Sequence, residues 1–182
     1  MRKLIAAINM TLDGFFDHTA GIPDDEIHQH YTGLLDSADT VLYGRITYQL
    51  MEYWRTILDE PSDKKSMNDF AVAIDKIQKI VFSHTLKDVD WASAVLSDQS
   101  LEAKVLELKH QSGGDILVGS RSLIIQLMNL NLIDELQLCI HSVVSGGKLP
   151  LFENVNDRIL LKLIKTKTIS SNGVVLYYEP TK

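Results

Sequence analysis

A single cysteine, Cys139, stands in this chain of 182 residues. One thiol makes no internal disulfide, and it falls short of the ligand set of a structural zinc. Four prolines and ten glycines are too few for a collagen-like or low-complexity chain. A basic surplus is missing: 18 Lys+Arg stand against 24 Asp+Glu, a formal charge of −6. The densest basic stretches are Lys64-Lys65 and the spaced Lys162, Lys165 and Lys167, which sets nucleic acid aside as a partner. No apolar run approaches the ~20 residues that span a bilayer, so no membrane partner is expected. Leu4 to Ile8 follows Arg2-Lys3, but Asn9, Thr11 and Asp13 end that run too soon for a signal peptide. It reads as a strand, and the expected location is cytoplasmic. G-x-G-x-x-G, G-x-x-x-x-G-K-[ST] and G-x-S-x-G are all lacking, so no dinucleotide fingerprint, triphosphate loop or serine elbow is indicated.

What is present is the composition of a globular domain, 45% hydrophobic and 23% charged. The length suits one domain over residues 1–182, with roughly 70% of the extended surface buried on folding. Short β-rich runs alternate with segments of helical period. Strands are expected over Leu4–Asn9, Thr40–Tyr43, Lys79–Ser83, Asp115–Gly119 and Glu135–Ser142. Helices are expected over Asp24–Ser37, Thr47–Leu58, Asn68–Ile77, Asp98–Gln111 and Ser122–Leu130. Ile159–Thr168 and Val174–Tyr178 flank Asn172-Gly173 and read as an antiparallel hairpin. Alternating strands and helices make parallel neighbours, and the hairpin makes the sheet mixed. The fold class is therefore α/β, with helices on both faces and ligands expected at the carboxyl ends of the strands.

Three strand–helix junctions carry the chemistry. At Tyr43-Gly44-Arg45-Ile46-Thr47, glycine admits close approach, the helix start offers N–H groups, and Arg45 and Thr47 suit phosphate. A turn glycine, a surface arginine and an N-cap threonine fit the same residues. At Gly119-Ser120-Arg121-Ser122, either serine suits a phosphate or caps the following helix. Ser83-His84-Thr85 suits a ribose or its phosphate, or simply ends a strand. Cys139 alternates inward within a strand and reads as core. His28 and His30 are two apart on a helix, so they are no metal pair, and no metal is expected. Asp24, Asp25 and Glu26 complement a helix dipole or supply a general acid. Asp13 before Gly14 is first a turn former.

Taken in order, these motifs resemble the dihydrofolate reductase superfamily. They are most similar to the reductase domain of bifunctional riboflavin-biosynthesis deaminase-reductases. The resemblance runs through Met10-Thr11-Leu12-Asp13-Gly14, Tyr43 to Tyr48, Val81-Phe82-Ser83, Gly119-Ser120-x-x-Leu123, Leu132 to Leu136 and Ser145 to Phe152. It implies a three-layer α/β/α fold around a mixed, mostly parallel sheet of about eight strands. It implies an oxidoreductase with NADPH as hydride donor and a small heterocyclic substrate. By that resemblance Gly44, Arg45 and Thr47 meet the cofactor's phosphates and adenosine end, and Ser83 and His84 its 2′-phosphate ribose. Gly119, Ser120, Arg121 and Ser122 cradle the pyrophosphate, and the loop from Met10 to Ile22 covers nicotinamide and substrate. Dihydrofolate reductases carry a pterin-binding carboxylate on the first helix, and here that place falls near His28. Asp13, Glu26 and His28 are the candidate catalytic groups. The family often has Gly-Gly where this chain has Gly119-Ser120, and a cis or otherwise unusual peptide is expected there. Turnover, or NADPH binding with little turnover, are the two functional outcomes. A homodimer is expected from the resemblance and from apolar edges read at Leu132–His141 and the C-terminal hairpin.

Overall fold

In β1 (Leu4–Thr11), Leu4, Ala6 and Ile8 join one core cluster and Ile5 joins another. Such a strand is buried on both faces and needs a layer above and below. The computed structural model describes residues 1–16, 18–19 and 21–181. It lays β1, β2 (Ala38–Gly44), β3 (Gln78–Phe82), β4 (Ala94–Leu96), β5 (Asp115–Val118), β6 (Glu135–His141), β7 (Leu161–Ile169) and β8 (Gly173–Pro180) into one sheet. Their order is β4-β3-β2-β5-β1-β6-β8-β7. The first six are parallel neighbours, and the β8 and β7 pairings are antiparallel. This is the expected α/β class with its C-terminal hairpin.

One face carries α1 (Asp25–Ser37), α2 (Arg45–Met51), α3 (Tyr53–Asp59) and α4 (Lys65–Lys76). The other carries α5 (Leu101–His110) and α6 (Arg121–Asn129). Ile27, Tyr31, Leu34 and Leu35 recur at helical spacing on α1, which is why that helix packs inward along one stripe. Asp24 starts it by accepting from Ile27 N at 3.0 Å. Ser100 caps α5 in the same way, accepting from Ala103 N at 3.3 Å.

Several elements differ from expectation. The helix expected over Thr47–Leu58 is two, broken at Glu52, whose carbonyl takes Arg55 N three residues on at 3.1 Å. The next helix starts at Lys65, because Asn68 turns its side chain back onto Ser62 from inside the helix. Strand β4 is unexpected. It is only three residues long and is held by Lys79 N donating to Ser93 O at 2.7 Å. The fully buried Lys79 ammonium also donates to Ser93 Oγ at 2.6 Å. Leu132–His141 is no free edge, since β6 lies between β1 and β8. The edge on that side of the sheet is β7, exposed along nearly its whole length. Among the described residues, no helix is long and apolar enough to cross a membrane.

Candidate active site

After β1 the chain passes to the α1 face, whereas after β5 it passes to the α6 face. The crevice at the carboxyl ends of β1, β5 and β2 lies where these connections part. Two concavities open there and share Thr47 as a wall.

The outer cleft, of about 800 Å³, is formed by the ends of β2 and β3 and the starts of α5 and α6. Gly44, Arg45, Thr47, Ser83, His84 and Ser122 all line it. Arg45 is exposed and donates from Nη1 to Gln49 Oε1 at 3.2 Å. Ser83 Oγ closes its own turn, accepting from Thr85 N at 3.1 Å and Leu86 N at 2.9 Å. Hydroxyls of Thr85, Ser97 and Ser100 add to the wall, with Asp98 as a carboxylate.

Ser120 plays a part the sequence reading did not foresee. It is buried, and its Oγ accepts from Gly44 N at 2.8 Å, tying the end of β5 to the end of β2. The Gly44 N–H is therefore engaged inside the protein. Ser120 does not cap α6 with its side chain. The first three N–H groups of this nine-residue helix, on Arg121, Ser122 and Leu123, have no acceptor among the described residues. The Arg121 side chain turns away from the cleft, donating to Pro150 O at 2.7 Å and pairing with Glu153 at 2.7 Å. Its side chain is thus tied to the segment between β6 and β7.

The cis or outlying peptide expected at Gly119-Ser120 is absent. The described residues contain no cis bond, and Ser120 is extended at φ −97°, ψ 121°. Nothing in the surroundings enforces strain. A Cβ built on Gly119 meets Ala7 O and Tyr43 Cε1 at 3.7 Å, ordinary contact distances.

The inner cavity, of about 300 Å³, lies beneath the crevice on the α1 face. Gly119 and His28 line it. The His28 ring stands edge-on to Trp54 at 5.6 Å and tilted to Phe70 at 6.3 Å, and those two rings meet at 4.5 Å. Burial pushes His28 below the usual imidazole range, against the pull of Asp25. Its Nδ1 is sealed off without a partner.

A second histidine at the cavity escaped the sequence reading. His141 ends β6, almost fully buried, and burial lowers its pKa too. Ile22 N donates to its Nδ1 at 3.2 Å, so the ring proton sits on Nε2, 3.1 Å from Asn9 Oδ1. Tyr31 donates its hydroxyl proton to the same Oδ1 at 2.9 Å. No local motif announces Asn9, Tyr31, Trp54 and His141 together. Trp54 sits on the Leu50–Met51–Leu58 stripe, which reads as core.

Asp13 and Glu26 enter neither concavity. Asp13 accepts from Thr11 Oγ1 at 2.6 Å and Gly146 N at 2.8 Å, and the Thr11 hydroxyl holds its carboxyl below the usual range. It knits the loop after β1 to the loop after β6. Glu26 is exposed and accepts from Ser170 N at 2.9 Å, stapling α1 to the β7–β8 turn. In the covering loop expected from Met10 to Ile22, Asp17 and Ala20 lie outside the described residues; Phe16, His18 and Gly21 line the cavity. Among the described residues no group of three metal-binding side chains gathers.

A mostly parallel sheet with a crevice at its strand ends and this antiparallel hairpin defines a dihydrofolate-reductase-like α/β protein. The chain belongs to the RibD C-terminal domain family, whose model matches residues 2–176. It is 36% identical over 182 residues to the uncharacterised protein YyaP of Bacillus subtilis, covering 98% of this chain and 95% of that protein. Its fold is similar to that of a deaminase/5-amino-6-(5-phosphoribosylamino)uracil reductase from Thermotoga maritima, with TM-score 0.66 and 17% identity. That match covers 99% of this chain and 57% of the longer protein. It is also similar to a dihydrofolate reductase from Enterococcus faecalis complexed with NADP(H), with TM-score 0.59 and 13% identity. There the match covers 99% of this chain and 97% of the other. The family and fold support a reductase-type function.

Proposed function

We propose that the chain is an NADPH-dependent reductase of a small heterocyclic substrate, acting as a single domain over residues 1–182. The observation that carries this reading is that the two concavities adjoin. Thr47 borders both, and Gly119, next to the open start of α6, borders the inner one. The donor set suits an extended dinucleotide phosphate. Arg45, with Ser83 and His84 across the cleft, suits a 2′-phosphate. The unpaired N–H groups of α6 suit a pyrophosphate. Bound there, the cofactor supplies a hydride. The chain's own part is to orient both reactants along the crevice and to keep water from the inner cavity.

The candidate groups divide accordingly. Gly44, Arg45, Thr47, Ser83, His84, Gly119 and Ser122 belong to the cofactor side, with Ser120 bracing it from behind. His28 belongs to the substrate side, while Asp13 and Glu26 hold loops. Binding with little turnover is the second reading. It is favoured by the lack of any carboxylate among the described cavity residues. We also propose a homodimer formed through the exposed β7, where Leu163 and Ile164 face solvent. Calorimetry with NADPH and NADH, followed by NADPH consumption over a panel of pterins and aminouracils, tests the reading. Tighter NADPH binding and a consumed substrate support it. Equal affinity for the two dinucleotides, or none, overturns it.

A further inference from the structure

We propose that the inner cavity selects a flat, uncharged ring compound bearing a hydrogen-bond acceptor, and rejects the same ring carrying a carboxylate or phosphate. The inference rests on the reductase reading of this cavity as the substrate site, and it narrows that reading to a substrate class.

The walls supply the shape. Trp54 and Phe70 lie 4.5 Å apart, and the His28 ring meets them edge-on and tilted, which offers π-surface to a planar molecule. The volume of about 300 Å³ is at the small end of ligand sites, which run roughly 300–1,000 Å³.

The lining supplies the charge rule. Among its described residues there is no Lys, Arg, Asp or Glu. Burial holds the two histidines of its floor, His28 and His141, below the usual imidazole range, and the third, His18, stands exposed at the rim. An anion entering here would shed its water without gaining a cation, and that is costly. Arg45, by contrast, lies on the outer cleft.

The polar atoms supply the acceptor rule. The His141 Nε2–H and the Tyr31 hydroxyl both donate to Asn9 Oδ1. That fixes the amide's orientation and leaves its NH2, on a cavity-lining residue, without an acceptor among the described residues. His28 also has unspent capacity. Its Nδ1 is sealed, so Nε2 is the atom through which it can bond a ligand. A carbonyl or ring nitrogen answers the Asn9 amide. The Thermotoga maritima enzyme is named for a phosphoribosyl compound; the inner cavity of this chain is built for a ring without that phosphate.

The test uses the whole chain and two probes that differ by one charge, lumazine and lumazine-6-carboxylate. Binding is followed by calorimetry and by quenching of tryptophan fluorescence, with and without NADP+. Lumazine should bind, and its carboxylate at least roughly tenfold more weakly, the scale of one uncompensated polar burial. Asn9→Leu and, independently, His28→Phe should each weaken lumazine by about tenfold while circular dichroism stays unchanged. Leu50→Arg places a cation on the cavity wall and should reverse the preference between the probes. Equal or tighter binding of the carboxylate overturns the proposal. So does no lumazine binding at millimolar concentration, or unaltered lumazine affinity in whichever of the two variants folds. NADP+ binding without lumazine binding defeats this inference alone; failure of NADP+ to bind defeats the cofactor reading and leaves the probe preference to be judged by itself.

Discussion

The outer cleft takes its walls from strand ends and helix starts, with hydroxyls, one arginine and unpaired backbone N–H groups. The inner cavity takes its walls from side chains of α1, α2, α3 and α4 and from strands β1, β2, β5 and β6. Backbone geometry makes the first, so its donors are rigid and suited to anions. Side-chain packing makes the second, so its chemistry is set by a few rings and amides in an apolar shell. Under the proposed function the phosphates fall to the first and the reacting rings to the second. The two concavities adjoin at Thr47, which lines both.

The strongest break in that comparison is at the passage between them. Gly119→Val would push two methyl groups toward Ala7 O and Tyr43, each 3.7 Å from a Cβ, and into the crevice. NADPH affinity should fall by roughly 100-fold or more, read by calorimetry. Thermal stability should change little, because the peptide is trans and extended. Arg45→Ala comes next. NADPH should bind roughly tenfold to 100-fold more weakly, as for a lost charge-assisted hydrogen bond, and NADH should be nearly unaffected. A parallel loss for both dinucleotides would place Arg45 away from the 2′-phosphate.

Acid sharpens the comparison from the other side. His28, His30 and His141 are all held below the usual imidazole value by burial, His30 down to about 4 with Lys167 and Lys165 nearby. The unfolded chain then binds protons that the folded chain refuses. Stability should be full above about pH 6.5 and should fall as pH drops from there toward 4. Melting temperatures between pH 7 and 4.5 should show this, and His30→Gln should flatten the slope. A slope unchanged by that substitution would assign the acid sensitivity to the cavity histidines.

Smaller effects test the bracing. Cys139→Ala, buried under α1, should cost packing stability of about 1 kcal/mol and leave NADPH binding intact. Arg121→Ala removes a half-exposed ion pair with Glu153, worth roughly 0–1 kcal/mol, and should not alter cofactor affinity. A clear loss of NADPH binding would return its side chain to the cofactor site.

The layers were legible because both-face burial writes itself as apolar runs, in Leu4–Ile8, Val41–Tyr43 and Ile116–Val118. The outer cleft was legible for a similar reason, since strand–Gly–helix junctions are local. Strand β4 was not, being three residues pinned by a buried lysine from β3. Ser120 suited a phosphate or a helix cap, and its bond to Gly44 was not legible, because nothing local shows an oxygen reaching across the sheet. The inner cavity was the least legible part. Asn9, His28, Trp54, Phe70 and His141 come from five elements and meet only in the fold. His28 was singled out by position, not by its sealed Nδ1 or its aromatic seat.

The central claim is that one bound dinucleotide runs from the outer cleft through the crevice into the inner cavity. It is tested most directly by backbone amide NMR, titrating the chain with adenosine 2′,5′-bisphosphate and then with NADP+. The half-molecule should shift Arg45, Ser83 and His84 and leave Ala7 and Gly119 in place. NADP+ should shift all five. If NADP+ moves only the outer residues, or neither compound moves any, the two concavities are not one cofactor site and the account fails.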